Sequence, residues 1–161
     1  MKIRKATSED KEQIIRLMEE FNRYYYEENI FPDDFKPLWE YKNKNKTFDE
    51  AAQEWLSDQE FIMFAAEENG QLIGYICGQV KDRKVRIVDK EGYIHDWFVS
   101  RDWRHKGVGM QLYQKLLEEF KKNGCNRLGL LTNIHNKNTV DFYHKLGFID
   151  DSINMVMQIE K

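Results

Sequence analysis

Hydrophobic positions change their period several times along the chain, and each period selects an element. Ile14, Leu17, Met18, Phe21 and Tyr25 recur at three-to-four spacing, which predicts a helix over residues 9 to 27 with one apolar stripe. Ser8, followed by Glu9 and Asp10, supplies an N-cap and first-turn acids for it, and residues 2 to 5 form a short strand before it. Thr47-Phe48-Asp49-Glu50 has the S/T-x-x-E form of a capping box and predicts a second, short helix to Leu56. Between these helices, residues 28 to 46 carry Pro32, Pro37, Phe31, Phe35, Trp39 and Tyr41 with no period, and are expected to be a loop that helps shape a site.

Two apolar runs, 61 to 66 and 72 to 80, flank Glu67-Glu68-Asn69-Gly70, and Asn-Gly in that setting predicts an antiparallel hairpin. A charged connection over 81 to 90 leads to a strand over 93 to 99 whose apolarity is broken only by His95 and Asp96. Period-two alternation places those two side chains on opposite faces. Val108, Leu112, Leu116, Leu117 and Phe120 mark a helix over 107 to 122, closed by Asn123-Gly124. A strand follows over 128 to 132. Asn136 or Asn138 caps a further helix through Val140, Phe142 and Tyr143, with Gly147 at the left-handed position past its end. Ile153, Met155, Met157 and Ile159 alternate as a last strand. The order β-α-α-β-β-β-α-β-α-β predicts an α/β fold with a mixed sheet, in which a crossover helix joins parallel neighbours.

Composition narrows the function classes. The chain has 161 residues, enough for one domain over 1–161 with a core of its own. Lys and Arg number 25 against 28 Asp and Glu, a net charge of −3 that leaves no broad basic face for nucleic acid. The longest wholly apolar run, 61 to 66, falls far short of the roughly 20 residues that span a bilayer. The N-terminus lacks the apolar segment of a secretory signal, so a cytoplasmic protein without a membrane partner is expected. Cys77 and Cys125 stand apart from each other and from any Cys/His cluster, which predicts packing roles and no metal site.

The densest candidate chemistry follows the 93 to 99 strand, where Ser100-Arg101-Asp102-Trp103-Arg104-His105-Lys106-Gly107-Val108-Gly109 runs into a helix. Unpaired first-turn amides, the positive end of the helix dipole and small residues suit an anion there, and Arg104, His105 and Lys106 add charge. No Gly-Lys-Ser/Thr occurs, and Leu112 stands where a dinucleotide fingerprint needs its third glycine. A different phosphate ligand is implied.

Arg104 to Gly109 matches the R/Q-x-x-G-x-G/A loop of the GNAT N-acetyltransferase superfamily. Asn136 to Phe148 resembles its late pattern N-x-x-A-x-x-x-Y-x-K-x-G-F, with Thr139 in place of the usual Ala. The chain resembles that superfamily over nearly its whole length. The resemblance implies the acyl-CoA N-acyltransferase fold, a mixed sheet of about six to seven strands with about four helices. It implies acetyl-CoA as co-substrate, its pantetheine arm beside the backbone of Phe98 and Val99 and its diphosphate on Arg104, His105, Lys106, Gly107, Val108, Gly109 and Met110. It also implies that Asn136 contacts the pantetheine and that Tyr143 faces the thioester sulfur as acid. Members of this superfamily often dimerise, and residues 153 to 159 offer a strand to pair between subunits.

A lysine-like amine, with pKa about 10.4, is neutral only to about one part in 2,000 at pH 7, so transfer to it calls for a base. His95, with an ordinary pKa near 6.5, is the leading candidate, with Asp96 or Glu91 as the alternative through water. A backbone N–H near Phe98 or Val99 is the expected oxyanion donor. Glu27, Glu28, Asp33 and Asp34 interleave with Tyr24, Tyr25, Tyr26, Phe31, Phe35 and Trp39, which suits a cationic acceptor. Ile94-His95-Asp96-Trp97-Phe98-Val99 is also similar to the matching strand of the diamine and polyamine acetyltransferase branch. The expected function is acetyl transfer to a primary amine, polyamine-like in the first instance, with protein amines and aminoglycosides as other acceptors. The rival is an acyl-CoA-binding module without turnover.

Overall fold

A computed structural model of the chain describes residues 1–28, 36–157 and 159. Its strands are β1 (Lys2–Lys5), β2 (Phe61–Glu68), β3 (Gln71–Asp82), β4 (Lys90–Val99) and β5 (Arg127–Leu130). Its helices are α1 (Lys11–Glu27), α2 (Lys36–Trp39), α3 (Lys44–Ser57), α4 (Val108–Lys122) and α5 (Lys137–Lys145). The strands form one sheet in the order β1-β2-β3-β4-β5. β1 to β4 are antiparallel neighbours and β5 is parallel to β4, so α4 is the crossover that a parallel pair requires.

Each face of the sheet has its own core. α1 and α3 bring Ile14, Leu17, Met18, Phe48 and Ala52 onto Tyr75, Cys77 and Phe98. α4 brings Val108, Leu112, Leu116 and Phe120 onto Phe64, Ile76 and Ile94 on the other side. Phe120 reaches the sheet because Gly78 and Gly92 carry no side chain; a Cβ on Gly92 would stand 2.4 Å from its ring. The entry to α1 is pinned by charge. Arg4 donates to both oxygens of the buried Asp10 at 2.7 and 2.8 Å, and Asp10 also accepts from the Thr7 amide at 2.8 Å.

Four expectations need correction. Ser8 begins a separate 3₁₀ turn over Ser8–Asp10, and α1 starts at Lys11, because Asp10 is committed to Arg4 and Thr7. Thr47 lies inside α3: Asn43 caps it, its Oδ1 accepting from the Lys46 amide at 3.0 Å, while the Thr47 hydroxyl donates back to the Asn43 carbonyl. The 28 to 46 stretch contains α2 and the first turn of α3, and the acceptor-side residues Phe31, Asp33, Asp34 and Phe35 lie outside the described residues. Among the described residues 153 to 157 form no strand, and five strands and five helices are present where more strands and fewer helices were expected. Alternation shows that a segment could be two-faced, but a strand also needs an edge to pair with, and among the described residues this segment has none; Met155 is 87% exposed. Among the described residues no helix is long and apolar enough to cross a membrane, and no group of three His, Cys, Asp or Glu could hold a metal ion.

Candidate active site

The chemistry-bearing residues gather where β4 parts from β5. On the β3 side the register steps from Cys77↔Asp96 to Gly78↔Ile94, so His95 is the extra residue of a β-bulge. The bulge breaks the alternation and turns His95 and Asp96 toward the same face, correcting their expected opposition. The Tyr75 hydroxyl donates to Asp96 Oδ2 at 2.7 Å. His95 Nε2 pairs with Oε1 of Gln79, at 3.3 Å, and Gln79 shares the Tyr75 face of β3. The His95 ring packs on Phe61 and Tyr93, its centroid 5.2 and 5.0 Å from theirs.

Electrostatics separates the two candidates for the base. Burial pushes the Asp96 carboxyl up to about 6, against the opposing pull of hydrogen bonds from Tyr75 and the Trp97 amide. The same group would be ionised at pH 7 and is well placed to accept a proton near neutrality. His95 sits more openly, and its pKa is held below the ordinary value by packing and by Lys81, which lies over the Tyr93 ring. The Asp96 charge is felt at four phenols. Those of Tyr25, Tyr41, Tyr75 and Tyr143 are all raised, first by burial and then in part by the Asp96 charge. Glu91 is drawn off to Arg127, whose Nε donates to it at 2.6 Å.

Next to this cluster the sheet opens. β4 and β5 pair from Glu91↔Arg127 to Ile94↔Leu130, and among the described residues 95 to 99 run on with no strand partner on the β5 side. Phe98 and Val99 lie on that free stretch. The turn that follows ends in Gly107, whose φ of 79° belongs to the left-handed region and caps α4. The first helical bond there is Gln111 N–H to the Gly107 carbonyl, 3.1 Å, so the amides of Val108, Gly109 and Met110 precede the ladder. His105 (φ 59°) and Lys106 are exposed beside them. Arg104 is held at the end of β4. Its Nε donates to the Val99 carbonyl at 3.0 Å and its guanidinium lies 4.3 Å over the Tyr24 ring, so it braces the end of β4 against α1.

Across the gap stands α5. Asn136, only 4% exposed, caps it by accepting from the Thr139 amide. Tyr143 packs among Trp97, Phe142 and Phe148, with centroids 6.0, 5.7 and 5.7 Å away. Trp97, on the α4 side, stacks on Tyr113 at 5.4 Å and 12°. The free β4 edge and bare first-turn amides, with no side chain within 4 Å of a Cβ placed on Gly107, fit an extended acyl carrier ending in a diphosphate.

Comparison with known proteins agrees with this geometry. The model of the acetyltransferase (GNAT) family matches residues 14–148. The chain belongs to the GNAT family. It is 28% identical over 159 residues to an uncharacterized N-acetyltransferase of Methanocaldococcus jannaschii, covering 94% of this chain and 62% of that protein. It is 31% identical over 86 residues to N-alpha-acetyltransferase 30 of Schizosaccharomyces pombe, covering 53% of this chain and 55% of that protein. The chain thus spans only about three-fifths of the length of these curated relatives. Its fold is that of the tetramutant of the BH1408 protein of Bacillus halodurans, with TM-score 0.83 at 18% identity over 99% of this chain and 100% of that one.

Within this GNAT domain, sequence reasoning passed over Tyr75 and Trp97. Tyr75 sits in the most apolar strand, and its hydroxyl was the available signal, since a buried phenol must find a partner. Trp97 stood in the stretch that resembles the diamine and polyamine acetyltransferase branch but was given no role of its own.

Proposed function

We propose that this protein is an acetyl-CoA-dependent N-acetyltransferase that acetylates the primary amine of a small cationic acceptor by direct attack. The observation that carries this reading is the placement of Asp96, on the bulge of β4, beside a strand edge that is free on the β5 side and leads to the bare N-terminus of α4.

Bound acetyl-CoA supplies an activated thioester. Val108, Gly109 and Met110 offer amides to its diphosphate, with His105 and Lys106 as flanking charge. The edge of β4 at Phe98 and Val99 offers backbone groups to its pantetheine and a donor to the oxygen that gains charge. Asp96 takes the proton that the acceptor's ammonium must lose, assisted by burial that disfavours the charged amine. His95 lines the acceptor side next to it. Tyr143, kept protonated by burial, holds a proton for the departing thiolate. Cys77 is buried with its thiol pushed up, so it forms no thiolate nucleophile.

The aromatic side chains near this carboxylate support a cationic acceptor: Tyr75 donates to Asp96, and the Asp96 charge is felt at the phenols of Tyr25, Tyr41 and Tyr143. A protein N-terminus is the second acceptor, favoured by the kinship with N-alpha-acetyltransferase 30. Pairing of two copies through residues 153 to 159 belongs to the same proposal and is supported by the exposure of Ile153, Met155 and Met157; sedimentation velocity reads it directly.

The decisive test incubates the protein with acetyl-CoA and a panel of polyamines, aminoglycosides and peptide N-termini while free coenzyme A thiol is followed. Amine-dependent thiol release is expected, strongest with a polyamine. Binding of acetyl-CoA without release under any amine would show a carrier-binding module instead.

A further inference from the structure

We propose that Gln79 is a positioning residue: pinned by Glu60, it keeps the proton of the His95 imidazole on Nε2 and leaves Nδ1 to accept an N–H of the acceptor amine. The proposal rests on the transferase reading above and adds two residues, Gln79 and Glu60, that neither motif of the family contains.

The chain of contacts starts where α3 ends. Asp58 closes that helix, its carboxylate accepting from the Glu60 amide at 2.9 Å and its carbonyl from the Phe61 amide at 3.2 Å. This turn sets Glu60 at the head of β2. Phe61 lies opposite Gln79 on β3, and Gln79 lies opposite Tyr93 on β4, so the three side chains stand in one row on one face of the sheet. The His95 ring packs on both ends of that row, Phe61 and Tyr93, with Gln79 between them.

Donors and acceptors then leave one arrangement. Gln79 Nε2 donates to Glu60 Oε2 at 2.8 Å. A carboxylate offers only lone pairs, so the amide nitrogen faces Glu60 and the amide oxygen faces His95. In the 3.3 Å contact of His95 Nε2 with Gln79 Oε1, the ring nitrogen therefore carries the proton and donates. A neutral imidazole has one such proton, so Nδ1 keeps its lone pair, and among the described residues no hydrogen bond reaches it. The charged groups about the ring are Glu60 through Gln79, Asp96 next in the chain, and Lys81, whose Nζ lies 3.6 Å from the centre of the Tyr93 ring. Packing and Lys81 both favour the neutral ring, in which the choice of tautomer matters. A primary ammonium brings three N–H groups. Asp96 takes one proton, the N–H bond breaking as its O–H bond forms, and His95 Nδ1 accepts a second N–H as a hydrogen bond that holds the nitrogen while its lone pair attacks. With the proton on Nδ1, the ring would set a donor against the donors of the amine.

Gln79→Ala removes the amide, and Gln79→Arg offers donors only, so that Nε2 must accept and the proton moves to Nδ1. Long-range ¹H–¹⁵N correlation spectra of the histidine-labelled protein at pH 8 read the tautomer, with His95 assigned by the signal lost in His95→Gln. The expected result is a single Nε2–H form in the wild type, a mixture of tautomers in Gln79→Ala and a predominant Nδ1–H form in Gln79→Arg. In an enzyme that turns over, KM for the most active amine of the panel should rise about 3- to 10-fold in Gln79→Ala, and at least as far in Gln79→Arg. The calorimetric dissociation constant for coenzyme A should stay within about twofold of wild type. A merely structural role would lower the active fraction and leave the tautomer and KM unchanged. A wild-type His95 protonated on Nδ1, a Gln79→Ala spectrum identical to wild type, or a KM within twofold of wild type in both variants overturns the proposal. Absence of thiol release by the wild type sinks the transferase reading, and the spectra then judge the hold on His95 by themselves.

Discussion

At the scale of single residues, the site turns on one carboxyl in an unusual setting. Asp96 is held near pKa 6 by burial, so kcat/KM for the amine should climb between pH 5 and 7 with a midpoint near 6. Asp96→Asn should flatten that limb and lower kcat at pH 7.5 by about 10² to 10⁴-fold. A retained limb at the same midpoint would pass the role to His95, although packing and Lys81 hold that group below its ordinary value. Tyr143→Phe should reduce kcat about 10-fold or more and leave the affinity for coenzyme A nearly unchanged, as expected for a proton held only for the leaving group. The polar pair His95-Asp96 in an apolar strand was visible from sequence as something needing explanation. Their shared face was not, because alternation presumes an unbroken ladder and the bulge at His95 is a long-range consequence of pairing with Cys77 and Gly78.

Elements decide where those residues stand. The junction from β4 to α4 was legible because its signals are local: Gly107 caps the helix in the left-handed region, and Asn69-Gly70 and Gly147 likewise take positive φ. The helix starts were less so, since Asn43 and the Arg4–Asp10 fork decide them through partners several residues away or in another element. Gly109→Trp should abolish binding of coenzyme A in calorimetry with the far-ultraviolet circular dichroism unchanged. A Cβ there already meets the Trp97 indole at 3.6 Å, so a larger side chain is driven outward over the first-turn amides. The last alternating segment, 153 to 157, shows the converse: period two is necessary for a half-buried strand, but among the described residues Ile153 and Met155 meet no neighbouring edge.

For the molecule as a whole, the same carboxyl that serves the chemistry opposes the fold. Asp96 binds its proton more tightly when folded, near 6, than at its ordinary 3.8, so folding is favoured by protonation and this group lowers stability above pH 6. The difference is worth about 3 kcal/mol at pH 8, at 1.36 kcal/mol per pKa unit, and shrinks by more than half by pH 4.5, where the folded protein already carries the proton. Asp10 acts in the opposite sense. Arg4 holds its carboxyl below the usual range, so its contribution is present at neutral pH and fades as the pH falls through the acid range. Urea unfolding at pH 8 and pH 4.5 separates the two. Asp96→Asn should raise stability at pH 8 by up to about 3 kcal/mol and by clearly less at pH 4.5, while abolishing transfer. Asp10→Ala, which leaves Arg4 with Glu67 as its carboxylate partner, should lower stability at pH 8 by about 2 kcal/mol. An Asp96→Asn protein no more stable than wild type at pH 8 would mean that the Tyr75 and Trp97 hydrogen bonds compensate the buried charge in full, and the cost of keeping a base in this cleft would then vanish.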